Sequence, residues 1–126
     1  MNRQNISSGA PWEDVVGYSR AVVIGNTLEI SGTAPVRNGK VEGESAYEQA
    51  KVCLEIIAEV IEKAGFQLDQ VVRTRMFVTD ISLWEEFGKA HGEYFSKIKP
   101  ATAMVEVSAL IDPKMLIEIE VTAVKG

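Results

Sequence analysis

The chain has 126 residues, of which 46% are hydrophobic and 25% charged, with 13 Lys and Arg against 18 Asp and Glu, one Cys and one His. A chain of this length buries roughly 65% of the surface its unfolded form exposes, enough for one domain over residues 1–126 with a two-layer core, and disordered and fibrous classes are excluded. The net charge of −5 and the scattered basic residues argue against a nucleic-acid partner, and one Cys and one His exclude an internal disulfide and a four-ligand zinc site, so no metal and no cofactor is expected.

The N-terminal stretch MNRQNISSGAPWEDVV has no apolar targeting core, and no run reaches the roughly 18 apolar residues of a membrane span. The reading is a cytoplasmic protein with no membrane partner. Residues 1–17 read as an irregular lead-in with at most one short edge strand. Ala21-Val22-Val23-Ile24 and Thr27-Leu28-Glu29-Ile30-Ser31 flank Gly25-Asn26, a two-residue hairpin turn, and Asn38-Gly39 marks a second tight turn inside 36–41.

Ser45-Ala46-Tyr47-Glu48 is a capping box, and Ala50, Cys53, Leu54, Ile57, Val60, Ile61 and Ala64 follow at three- and four-residue steps until Gly65. This predicts a helix over about 46–64. A second box, Ser82-Leu83-Trp84-Glu85, predicts a helix with the stripe Trp84, Phe87, His91, Tyr94, Phe95 and Ile98, ending before Pro100. Segments 71–79, 103–108 and 116–124 are β-branched and of strand length. The expected order is ββαβαββ, an α+β two-layer sandwich with a mixed sheet and both helices on one face.

Period-two reading puts Val72, Thr74, Met76 and Val78 in the core, together with Ala103, Val105 and Val107, and Ile117, Ile119, Val121 and Ala123. The opposite face then carries Arg73, Arg75, Phe77, Met104, Glu106, Ser108, Glu118, Glu120 and Thr122, with no helix left to cover it. It is either a solvated face laced with cross-strand ion pairs or an interface between subunits with a cleft. Cys53 and Trp84 read as packing residues, as does Trp12, which is also placed to dock the N-terminal segment on a neighbour. His91, alone on an apolar stripe, reads as a core or interface residue or as a general base with a suitable starting pKa. Gly32 reads as a position of close backbone approach or of a bulge.

Pro100-Ala101-Thr102-Ala103-Met104-Val105-Glu106-Val107 followed by Ile117-Glu118-Ile119-Glu120 resembles the C-terminal signature of the YjgF family, also called Rid (reactive intermediate deaminase) and historically a liver perchloric-acid-soluble protein or translation-inhibitor endoribonuclease. Gly17-Tyr18-Ser19, Ile30-Ser31-Gly32, Ala64-Gly65, Val72-Arg73-Thr74 and Phe77-Val78-Thr79-Asp80 extend the resemblance over nearly the whole chain. It implies a chorismate-mutase-like fold and a homotrimer with small-molecule clefts between subunits. In deaminating members an Arg after the Pro holds the substrate carboxylate, a Glu on the last strand handles water, and a Tyr and a Ser-Gly line the cleft. An imine or enamine is hydrolysed there to a 2-oxo acid and ammonia.

The resemblance assigns the catalytic Glu to Glu118 and the cleft lining to Tyr18, Ser31 and Gly32. The Arg position holds Thr102, the frequent Cys is Met104, and helix positions often Asn and Tyr are Gly88 and His91. These departures imply another ligand, with weak or no action on 2-aminoacrylate, since one neutral hydroxyl replaces a charged two-bond clamp. Arg75 is the candidate replacement for the lost charge, or else a partner of Glu118 or Glu120. Three functions follow: an imine or enamine hydrolase of non-standard substrate, a non-catalytic metabolite-binding or chaperone-like trimer, and an endoribonuclease, against which the acidic charge and single His argue.

Overall fold

A computed structural model describes residues 2–126. Its main sheet takes the strands β1 (Arg3–Ile6), β2 (Ala21–Ile24), β3 (Thr27–Thr33), β6 (Val71–Val78), β7 (Ala101–Glu106) and β8 (Ile117–Val124) in the spatial order β1-β2-β3-β8-β6-β7. The short strands β4 (Val36–Arg37) and β5 (Lys40–Val41) form a separate hairpin. Helices α1 (Ala46–Lys63) and α2 (Trp84–Phe95) make the second layer, and one apolar core joins Leu54, Ile57, Phe87 and Phe95 of the helices to Leu28, Met76, Ile117 and Ile119 of the sheet. The α+β sandwich with a mixed sheet is as expected, as is one short edge strand in the lead-in; the π-helical turn is an addition. The lead-in contributes β1 and a turn of π-helix over Glu13–Gly17.

Local chemistry explains the elements. Gly25 in the β2–β3 turn has φ +56°, and Asn38 and Gly39 have φ +54° and +76°, the left-handed pair that a two-residue hairpin turn needs. Ser45 stands extended ahead of α1 and accepts the Glu48 N–H at 3.1 Å. The second box behaves differently. Asp80 accepts from Ser82 N at 3.0 Å and from the Ser82 hydroxyl at 2.6 Å, caps a 3-10 turn over Ile81–Leu83, and α2 begins only at Trp84. Trp84 lies on the solvent side of α2, 56% exposed, and α2 stops at Phe95 short of Ile98.

The strand β6 runs parallel to β7 through the α2 crossover, while β8 runs antiparallel between β3 and β6. This ladder corrects two pleat assignments. Val71 pairs with Ala123 and Arg73 with Thr122, so one extra residue bulges out between them; Val71 takes the core position and Val72 is 46% exposed. In β7, Thr102 pairs with buried Thr74 and Met104 with buried Met76, so these two face the helices, while Ala103 and Val105 lie beside Arg75 and Phe77 on the open face. Parallel register with β6 sets that phase, overriding the apparent alternation of β7 itself.

Candidate ligand site

The expected site residues fall into two groups on opposite faces of the sheet. The first surrounds Glu118. A β-bulge in β3 carries Ser31-Gly32: Ile30 pairs with Val121 but Thr33 already pairs with Ile119, so one extra residue turns the strand. The Ser31 hydroxyl donates to the Ser19 carbonyl at 2.6 Å and its N–H to the Arg20 carbonyl at 3.0 Å, which ties the bulge to the segment bearing Tyr18. At Gly32 a Cβ would overlap the Glu118 carboxylate where it stands, so the expected bulge is present and the close approach at it is made by a side chain instead of backbone.

Arg20 completes this group and was not singled out from the sequence. Its Nη2 donates to the Gly32 carbonyl at 2.6 Å, and its buried Nε has no partner among the described residues. Burial works against its charge, while nearby Tyr18, Glu13 and Glu118 favour it. Burial pushes the Glu118 carboxyl above the usual carboxylate range; Arg20 pulls it down and Glu120 pushes it further up. Among the described residues Glu118 has no hydrogen-bond or ion-pair partner, although it is only half-buried.

The second group sits where β7 meets α2. Thr74 Oγ1, fully buried, lies 2.8 Å from His91 Nε2 and 2.9 Å from Thr102 Oγ1, and the Thr102 hydroxyl donates to the Pro100 carbonyl at 3.1 Å. His91 stacks tilted on Phe95 with ring centroids 4.7 Å apart, and burial holds its pKa below the usual value. Gly88 lies one helical turn before His91, with open space where a side chain would be, and Met104 follows Thr102 on the same face of β7.

Arg75 joins neither group. It pairs with Glu120 across β6 and β8 at 3.9 Å on the open face, so the strand pleat separates it from Thr102. Cys53 is wholly buried and its thiol pushed up by burial. Gln49 is a further residue that the sequence reading passed over. Its amide donates to the carbonyls of Lys114 at 2.9 Å and Gly43 at 3.3 Å and accepts from Leu116 N–H at 2.7 Å, which pins the loop leading into β8 and therefore Glu118. Its signal was a Gln among apolar residues on a helix stripe. Arg20 has no comparable pattern around it.

The model of the family described as endoribonuclease L-PSP matches residues 9–125. The chain belongs to this family, the YjgF family. A RutC family protein of Saccharolobus solfataricus is 40% identical over 112 residues, covering 86% of this chain and 87% of that protein. The crystal structure of Rv2704 from Mycobacterium tuberculosis, a member of the YjgF/YER057c/UK114 family, superposes at a TM-score of 0.91 with 44% identity over 98% of this chain and 100% of that one. The E. coli YjgF gene product superposes at a TM-score of 0.86 with 29% identity over 98% and 99% of the two chains. This YjgF-family chain has an open sheet face and a Ser-Gly bulge against Glu118, and it places Thr102 in an uncharged hydrogen-bonded chain.

Proposed function

We propose that this chain is a small-molecule hydrolase of the Rid type, acting on an imine or enamine that is not a simple amino-acid derivative, in clefts formed between the subunits of a homotrimer. The reading rests above all on Glu118, a desolvated carboxylate unpaired among the described residues and lying where a Cβ on residue 32 would be, so that Gly32 leaves it room. A carboxyl with a raised pKa is suited to take a proton from water as it adds to a C=N carbon and to return it to the departing nitrogen, giving a carbonyl product and ammonia. Gly32 and Arg20 lie beside it, and Ser31 ties the bulge at Gly32 to the segment bearing Tyr18. Gly88, His91, Thr102 and Met104 lie across the sheet, so a second copy is needed to bring both groups to one ligand.

A purified preparation is given freshly generated 2-aminoacrylate and imines of several amino acids, with 2-oxo acid release measured. Wild type is expected near background, and Thr102→Arg to gain activity through a charged two-bond grip on the carboxylate. Adding Glu118→Gln to Thr102→Arg is expected to remove that gain. Fast wild-type turnover would overturn the inference from Thr102, and a double variant as fast as the single one would remove Glu118 from the chemistry. Silence of all three favours the non-catalytic binding trimer, for which the neutral surroundings of Thr102 are the supporting observation. The acidic net charge of −5 keeps the endoribonuclease reading behind both.

A further inference from the structure

The hydrogen-bond chain ending at Thr102 has only one self-consistent direction. A backbone carbonyl can accept but not donate, so the 3.1 Å contact with Pro100 O commits the single Thr102 hydroxyl proton. Thr102 Oγ1 must then accept from Thr74 at 2.9 Å, which commits the Thr74 proton, and Thr74 Oγ1 must in turn accept from His91 at 2.8 Å. The proton of the neutral imidazole therefore sits on Nε2. Run the other way, Thr102 would donate to Thr74 and Thr74 to Nε2, leaving the Thr102 and Pro100 oxygens opposed at 3.1 Å with no proton between them. Thr74, fully buried, keeps a donor on one side and an acceptor on the other in either direction, so the choice is made at the Thr102–Pro100 contact.

We infer that Thr102 presents a hydrogen-bond acceptor to the cleft and so selects ligands carrying an N–H donor at this end, such as a primary carboxamide, over ligands carrying a carboxylate. Two lone pairs belong to Thr102 Oγ1, one is taken by Thr74, and the other is left for a ligand, since Thr102 is exposed on an edge strand. A carboxamide N–H satisfies that lone pair. A carboxylate offers only acceptors, and to bind it the Thr102 hydroxyl must swing away and strip Pro100 O of its bond. The polarity is thus the reverse of an arginine clamp, which offers donors alone. This inference names the ligand class for the site proposed above and rests on Thr102 lining that cleft.

The test uses the only histidine of the chain as its own reporter. Nitrogen-15 NMR of the imidazole is expected to show the proton on Nε2 in wild type; a proton on Nδ1 overturns the inference whatever binds. Calorimetric titration then compares pyruvamide with pyruvate. Wild type is expected to bind the amide at least about tenfold more tightly, the worth of one lost hydrogen bond. Thr102→Val is expected to erase the preference and Thr102→Arg to reverse it. Pyruvate binding wild type as well as pyruvamide, or no measurable pyruvamide binding, overturns the inference. The hydrolase reading fails separately, on turnover that survives Glu118→Gln in the Thr102→Arg background.

Discussion

Glu118 and His91 titrate with opposite consequences for stability. Burial raises the Glu118 carboxyl above its ordinary 4.5, with Arg20 opposing and Glu120 adding to the shift. The folded state therefore holds this proton more tightly than the unfolded one, a contribution complete below about pH 4.5 and lost as pH rises through the folded value. For His91, lowered from 6.5 by burial, the folded state holds its proton less tightly, so stability is full above 6.5 and falls as the solution is acidified below it. Glu118→Gln removes the first effect alone. Its melting temperature is expected to gain on wild type as the pH rises above 4.5 and to level off once the folded carboxyl has ionised, and thermal scans showing no such trend would mean that the carboxylate is well solvated.

The two capping boxes show how an identical sequence signal diverges at the scale of an element. Ser45 is the true cap of α1, and Ser45→Ala is expected to cost about 1 kcal/mol, read from a shifted urea midpoint at unchanged slope. Ser82 instead hangs on Asp80 ahead of a 3-10 turn, so Ser82→Ala is expected within about 0.5 kcal/mol of wild type. Equal losses would make the two boxes equivalent. The α1 stripe, the Gly25-Asn26 hairpin and the Asn38-Gly39 turn were legible because each depends on neighbours in sequence. The pleat of β7 was not, because small and apolar residues occupy both of its faces and only the register with β6 chooses between them. Val72 was misplaced because a bulge adds a residue without any local mark. In the site, Gly32 and Glu118 could be named singly from the resemblance, whereas the Arg20 contact and the Thr74, His91, Thr102 chain join elements remote in sequence, where periodicity carries no information.

At the scale of the whole molecule, the open sheet face combines Phe77, Ala103 and Val105 with the Arg75–Glu120 pair, an apolar patch bordered by charge that suits contact with further copies. Val105 is 46% exposed, so Val105→Asp is expected to leave the single chain folded, with unchanged circular dichroism. Light scattering is expected to give three times the 13.8 kDa chain mass for wild type and one chain mass for the variant. A variant that still assembles at micromolar concentration would move the contact surface elsewhere.

The central place of β8 also bears on how the sheet is closed. β1, β2 and β3 can pair as a meander, and β6 and β7 through their crossover, yet the two halves share a sheet only through residues 117–124. Without β8 each half would therefore end in an open strand edge, and neither the bulge at Gly32 nor the one at Val72 would have its opposing strand, so the last strand both closes the sheet and sets the two irregularities beside the site.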